Sequence, residues 1–116
     1  MKIVVLKFGG TSVGTIEKIK KVTDIIIEHK KKKNKVIVVS SAMSGVTNDL
    51  IKKSKQISNN FIDSEYDVLV SSGEQVACSL IAGRLNHKGF KSRSWLGWQI
   101  PIFTNGPYTN SRIQQV

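Results

Sequence analysis

Two runs of β-branched and other aliphatic residues, Ile3 to Leu6 and Val36 to Val39, most narrowly limit what this chain can fold into. Each is apolar at every position, without the alternation of a half-wet strand. That is the pattern of a strand buried on both faces, as in a parallel sheet. From about Thr15 to His29, Ile16, Ile19, Val22, Ile26 and Ile27 recur at helical spacing, with Lys18, Lys20, Lys21, Asp24 and Glu28 between them. A strand, a helix and a second strand form a right-handed crossover unit, and the rest of the chain has to build on it.

After the second run comes Ser40-Ser41-Ala42-Met43-Ser44-Gly45, a loop of mostly small residues. A helix is expected from near Thr47 to about Ser58, with Leu50, Ile51 and Ile57 inward and Asn59-Asn60 ending it. A further helical stretch runs from about Ser64 to His87. Val68, Leu69, Val76, Leu80, Ile81 and Leu85 form its candidate core face, and Ser71-Ser72-Gly73-Glu74 breaks it into two helices joined at the glycine. Gly89 closes it from the C′ position. Strands are expected around Ser92 to Trp95 and Ile100 to Phe103, and the tail from Gly106 is rich in turn residues. The fold class is α/β: a mainly parallel sheet with helices on both faces, whose ligands sit at the carboxyl ends of the strands.

With 116 residues there is room for one modest core, and 40% hydrophobic against 22% charged residues fits a globular chain. No apolar run reaches the roughly 20 residues a membrane helix needs, so no membrane partner is expected. A secretory leader is not expected either, because Lys7 directly follows the short apolar start. The single cysteine, Cys78, forms no internal disulfide and suits a reducing cytoplasm; on an apolar helix face it is read as buried and inert. The net charge of +10 fits a nucleic-acid partner, an anionic substrate or a solvated lysine surface. Its densest part, Lys30 to Lys33 and Lys35 after His29, lies where a helix ends and cations are favoured. No aromatic residue is interleaved there as a single-strand platform requires, so no nucleic-acid partner is expected. His29 and His87 fall at helix ends without matched partners, Trp95 and Trp98 read as packing residues, and no metal-ligand constellation stands out.

Chemistry concentrates behind the first strand, in Lys7-Phe8-Gly9-Gly10-Thr11-Ser12. Paired glycines let backbone N–H groups approach an anion, and the following helix aims its positive end at the same place. Lys7 adds a full charge at the strand end. Phosphoryl transfer is catalysed mostly by such positioning and electrostatics. The spacing of a Walker A loop is absent, and an ordinary strand-to-helix turn with a capping hydroxyl fits the same residues.

The string Lys7-Phe8-Gly9-Gly10-Thr11-Ser12-Val13-Gly14 resembles the opening motif of the aspartokinases, within the amino acid kinase family. Val38 to Asn48 is similar to that family's second-strand loop, and Ser71-Ser72-Gly73-Glu74-Gln75 to its Gly-Glu helix segment. Gly97-Trp98-Gln99 and Asn110-Ser111-Arg112-Ile113 also match, so the resemblance covers essentially the whole chain. It implies ATP-dependent phosphorylation of L-aspartate to 4-phospho-L-aspartate, the first step toward lysine, threonine, methionine and diaminopimelate, in the cytoplasm and with Mg2+ accompanying ATP. Residue by residue, it makes Lys7 catalytic through contact with the transferring phosphates. Phe8, Gly9, Gly10, Thr11 and Ser12 join Lys7 in the ATP-binding motif, with Ser41 on the nucleotide side of the second loop. Thr47 would bind aspartate and Glu74 its amino group, by a charge-assisted hydrogen bond. Blander roles remain for three of these: Thr47 as a helix N-cap, Ser41 satisfying a loop carbonyl, and Glu74 as a solvent-facing helix residue, although Gly73, Val76 and Ala77 beside it favour a cleft.

Family members are longer. On the resemblance, residues 1–116 are the amino-terminal part of a kinase domain, without its carboxyl-terminal half and without ACT regulatory domains. The chain alone is then incomplete. Its counterparts are a homodimer partner or the missing kinase half, and the alternative readings are a non-catalytic remnant or one half of a split kinase.

Overall fold

A computed structural model describes residues 1–116. The elements in chain order are β1 (Ile3–Phe8), α1 (Ile16–Lys31), β2 (Lys35–Ser40), α2 (Val46–Ile57), α3 (Asp63–His87), β3 (Phe103–Asn105) and β4 (Arg112–Gln115). β1 and β2 pair in parallel, with Ile3 opposite Lys35 and Phe8 opposite Ser40. The expected parallel sheet with packed helices is therefore present. Of its two faces, the helices of this chain cover one. Leu6, Phe8, Val36 and Val38 pack on a core of Val13, Ile19, Val22, Ile26, Ile27, Ile81 and Leu85 drawn from the first loop, α1 and α3. Ile3, Val5, Ile37 and Val39, on the other face, remain 61, 61, 54 and 47% exposed. The expectation that both runs are buried on two faces is corrected: one face packs, because no element here crosses the other.

α1 starts where Thr15 accepts a hydrogen bond from the Lys18 amide at 3.2 Å, and it ends on His29, Lys30 and Lys31, cations that complement its negative end. Ile16, expected inward, is half exposed, while Thr23 is fully buried and returns its hydroxyl to the Lys20 carbonyl at 2.7 Å. Arg84 of α3 spans to α1, its Nη1 donating to Asp24 Oδ1 at 2.8 Å, to the Lys20 carbonyl at 2.9 Å and to the Thr23 hydroxyl. On α2, Ile57 is exposed rather than inward and Ser54 takes the buried position.

α3 is one continuous helix, not two. Ser71 and Ser72 turn their hydroxyls back to the Val68 and Leu69 carbonyls at 3.1 and 2.6 Å, so they do not compete with the helix. Its buried row is Gly73, Ala77, Ile81 and Leu85, at intervals of four, whereas Val68 and Val76 are at least half exposed. The row runs from small to large, letting the middle of the helix approach its neighbours while its end fills the core. The expected closing turn is found. Gly89, at φ 83°, donates to the Asn86 carbonyl, and Phe90 donates to Leu85 and packs on the core.

The Ser92–Trp95 strand is not formed. The Ser92 amide and carbonyl are taken by the Asn86 side chain, at 3.1 and 2.9 Å, and its hydroxyl by the Ala82 carbonyl, so α3 holds this segment instead of a sheet. Trp95 and Trp98 are exposed rather than packed, and Arg93 stacks 4.2 Å from the Trp95 ring centre. The strand expected at Ile100 to Phe103 begins only at Phe103, and the turn-rich tail supplies its antiparallel partner, β4. The hairpin turns through Gly106 at φ 116° and Thr109 at φ 63°, and the Thr109 amide donates to Asp67 Oδ2 at 2.9 Å, tying it to the first half of α3. No helix is long and apolar enough to cross a membrane.

Candidate active site

Parallel strands deliver their carboxyl ends, and the loops that follow them, to one edge of the sheet. Lys7 stands opposite Val39 and Phe8 opposite Ser40, and the Ser41 amide donates to the Phe8 carbonyl at 3.0 Å. The two loops therefore leave the sheet side by side. In the first, Ser12 N–H closes a turn onto the Gly9 carbonyl at 3.0 Å, and fully buried Val13 pins the turn to the core. In the second, Gly45 at φ 84° makes the corner into α2. Only glycine adopts that backbone conformation without strain. Gly45 is also the N-cap residue, so the reading of Thr47 as the cap of α2 is corrected: Thr47 lies in the first turn, half-buried. The start of α2 has no side-chain cap, and its positive end opens onto the same mouth.

The loops interlock. A Cβ at Gly10 would lie 3.1 Å from the Ala42 carbonyl, and one at Gly14 3.0 Å from Ser44 Cβ. On the far side of the second loop, a Cβ at Gly73 would lie 3.0 Å from Ala42 Cβ and 3.2 Å from Val46 Cγ1. Glu74 and Thr47 are the next residues along α3 and α2, so this contact sets the two half-buried side chains on neighbouring turns of touching helices. Ser41 is half-buried beside Gly10, and Ser40, not Ser41, spends its hydroxyl on a loop carbonyl, that of Ser41 at 3.1 Å.

Lys7 is exposed at the mouth, on the open face of the sheet in line with Ile3 and Val5. Neither Lys7 nor Glu74 belongs to any of the three ion pairs, Lys20–Glu17, Lys31–Glu28 and Arg84–Asp24. One turn beyond Glu74, burial pushes the half-buried Cys78 thiol up from its ordinary pKa, and the Glu74 carboxylate adds to the rise. The expected inert thiol is thus partly rather than fully buried, with the thiolate disfavoured. At the carboxyl end of the sheet the structure interlocks the glycine turn with the loop from Ser41 to Thr47 and sets Gly73, the residue before Glu74, against that loop. Lys7 stands on the sheet's other face, opposite the one on which α3 packs. Sequence reasoning passed over Ala42, Gly14 and Ser44, which hold the loops together. The signal available was the density of small residues in both loops, where backbones need to approach closely.

The sequence matches the amino acid kinase family over residues 2–116. It is 47% identical over 116 residues to an aspartokinase of Geobacillus stearothermophilus and 46% identical to one of a Bacillus species, strain MGA3, covering all of this chain and 28% of each of theirs. In solved structures it superposes on an aspartate kinase from Synechocystis with a TM-score of 0.72 and 42% identity, over 76% of this chain and 15% of that one. It also superposes on E. coli aspartokinase III in complex with aspartate and ADP, with a TM-score of 0.78 at 19% identity, over 98% of this chain and 35% of the other, a likeness of fold. The chain spans under a third of the curated relatives it matches, and, matched by the family over residues 2–116, it belongs to the amino acid kinase family.

Proposed function

We propose that residues 1–116 are the amino-terminal part of a kinase domain that transfers the γ-phosphoryl group of ATP to the β-carboxylate of aspartate. The observation that carries this reading is the meeting of three segments at the carboxyl end of the sheet: the Lys7–Ser12 turn, the Ser41–Thr47 loop and the Gly73-Glu74 turn of α3. The identity to aspartokinases over the whole chain supports aspartate as acceptor.

In this reading the unpaired Lys7 ammonium stabilises charge building on the transferring phosphoryl oxygens. Gly9 and Gly10 offer backbone N–H groups to the phosphates, with Phe8, Thr11 and Ser12 shaping the turn and Ser41 facing the nucleotide from the second loop. Thr47 holds aspartate at the start of α2, where the helix dipole favours its carboxylate, and the unpaired Glu74 carboxylate takes its ammonium. Catalysis is positioning and charge rather than covalent chemistry. No group of three or more His, Cys, Asp or Glu side chains here could hold a metal ion, so these residues do not fit a resident metal site. Magnesium would be carried by the nucleotide, and no step above runs through it. The product would enter lysine, threonine and methionine synthesis, in keeping with a cytoplasmic location.

These residues form one wall of the cleft, and the chain by itself is expected to be inactive. The test is a chimera in which this chain replaces the matching segment of the Geobacillus aspartokinase, assayed for aspartyl hydroxamate from ATP, aspartate and hydroxylamine. Turnover within about tenfold of the parent, with glutamate a poor acceptor, supports the reading. A folded chimera without turnover, or one preferring another acceptor, overturns it.

A further inference from the structure

We infer that Ala42 is a positioning residue that couples the phosphate side of the cleft to the acceptor side. The inference rests on the functional reading above for the meaning of the two sides, and on packing alone for the coupling itself. Ala42 is 3% exposed and is held from both directions. Its carbonyl meets Gly10 of the first loop, where a Cβ would come within 3.1 Å, and its methyl meets Gly73 of α3, where a Cβ would come within 3.0 Å. Gly10 belongs to the turn that offers amides to phosphate, and Gly73 precedes Glu74.

Both loops are tied down along this line. The second loop is fixed by the Ser41 amide on the Phe8 carbonyl at 3.0 Å and by the Val46 amide on the Met43 carbonyl at 3.1 Å, and Met43 packs on the core. The first loop is fixed by Val13 in the core and by the Ser12–Gly9 turn. A closely packed interior transmits a displacement instead of absorbing it. A shift of α3 at Gly73 therefore moves Ala42, and Ala42 moves the backbone at Gly10. Side chains at 10 and 73 would separate the three segments, which gives the glycines a joint reason: they let two loops and a helix close on one methyl and one carbonyl.

The experiment is a double-mutant cycle on the 116-residue chain, read by amide hydrogen exchange at Ser12 and Ser41, which lie far from position 73 in sequence and are not among its nearest contacts. Gly73→Ala puts a methyl against Ala42 and is expected to speed exchange at both amides about tenfold, as overpacking does. Ala42→Gly removes the atom that is struck, so the double variant is expected to return to within about threefold of the parent. Ala42→Gly alone loosens the same amides to a smaller degree, and it keeps the test valid should Gly73→Ala fail to fold. The inference is overturned if Gly73→Ala speeds exchange only within α2 and α3, if the double variant does not recover, or if Ala42→Gly leaves Ser12 unchanged. In the chimera, the KM values for aspartate and ATP should rise together in Gly73→Ala and fall together in the double variant. A chimera without turnover would remove the kinase reading and leave the exchange result to decide the coupling.

Discussion

The two faces of the β1–β2 pair both carry aliphatic side chains but meet opposite surroundings. Leu6, Phe8, Val36 and Val38 pack on the core between α1 and α3, while Ile3, Val5, Ile37 and Val39 stay about half exposed or more. The packed face leads upward into the interlocked loops. The open face leads to Lys7, an exposed cation at the carboxyl end of β1. On this chain one face carries stability, and the other ends in the group proposed to meet phosphate.

That division can be broken most decisively at Lys7. In the chimera, Lys7→Ala is expected to lower aspartyl hydroxamate formation about a hundred- to a thousandfold, the scale seen when one preorganised charge-stabilising group is removed. The melting temperature should stay the same, because Lys7 is exposed and makes no ion pair. A large drop in melting temperature, or a change in turnover below about threefold, would place Lys7 with the packed face and refute the division.

The next largest contrast compares the faces directly by denaturant unfolding of the 116-residue chain. Ile81→Ala, in the buried row of α3 under the packed face, is expected to cost about 3 kcal/mol, from lost transfer energy and the cavity left behind. Val5→Thr on the open face is expected to stay within about 0.5 kcal/mol, since Val5 is already 61% exposed. Equal effects would mean that the open face is covered in solution. Thr keeps the β-branch, so the comparison isolates burial from strand propensity.

How far the sequence revealed this arrangement also follows the two faces. The helical spacing of Ile19, Val22, Ile26 and Ile27 and the β-branched runs were legible because each pattern has one physical meaning: a face that must leave water. The motif residues from Lys7 to Ser12, Ser41, Thr47 and Glu74 were legible as a constellation through family resemblance and the logic of strand ends. Three features were hidden for identifiable reasons. An apolar strand run does not say which of its faces this chain covers. On α3 the large residues Val68 and Val76 suggested a core face, but the helix buries Gly73 and Ala77 instead, because close approach to Ala42 and Val46 demands small residues there. Ser92 has the right neighbours for a strand, yet the Asn86 side chain outcompetes a sheet partner for its backbone, and one side chain's reach is invisible to periodicity.

The smallest expected effect probes the packed side next to the site, at Cys78. Burial is the larger cause raising its thiol pKa and the Glu74 carboxylate the smaller, one helical turn away at i, i+4. Desolvation and a nearby negative charge both disfavour the thiolate, so both act in the same direction. Alkylation by iodoacetamide follows the thiolate, and its half-maximal pH in the folded chain should exceed that of the urea-unfolded chain. Glu74→Gln removes the charge and leaves the burial, so the midpoint should fall part of the way and stop above the unfolded value. A midpoint that does not move would mean the carboxylate points away from Cys78 toward solvent, removing the cleft orientation on which its proposed contact with the aspartate ammonium depends. A midpoint falling all the way to the unfolded value would mean that charge, not burial, dominates on α3, and that this stretch of the packed side is wetter than the row Gly73, Ala77, Ile81 and Leu85 implies.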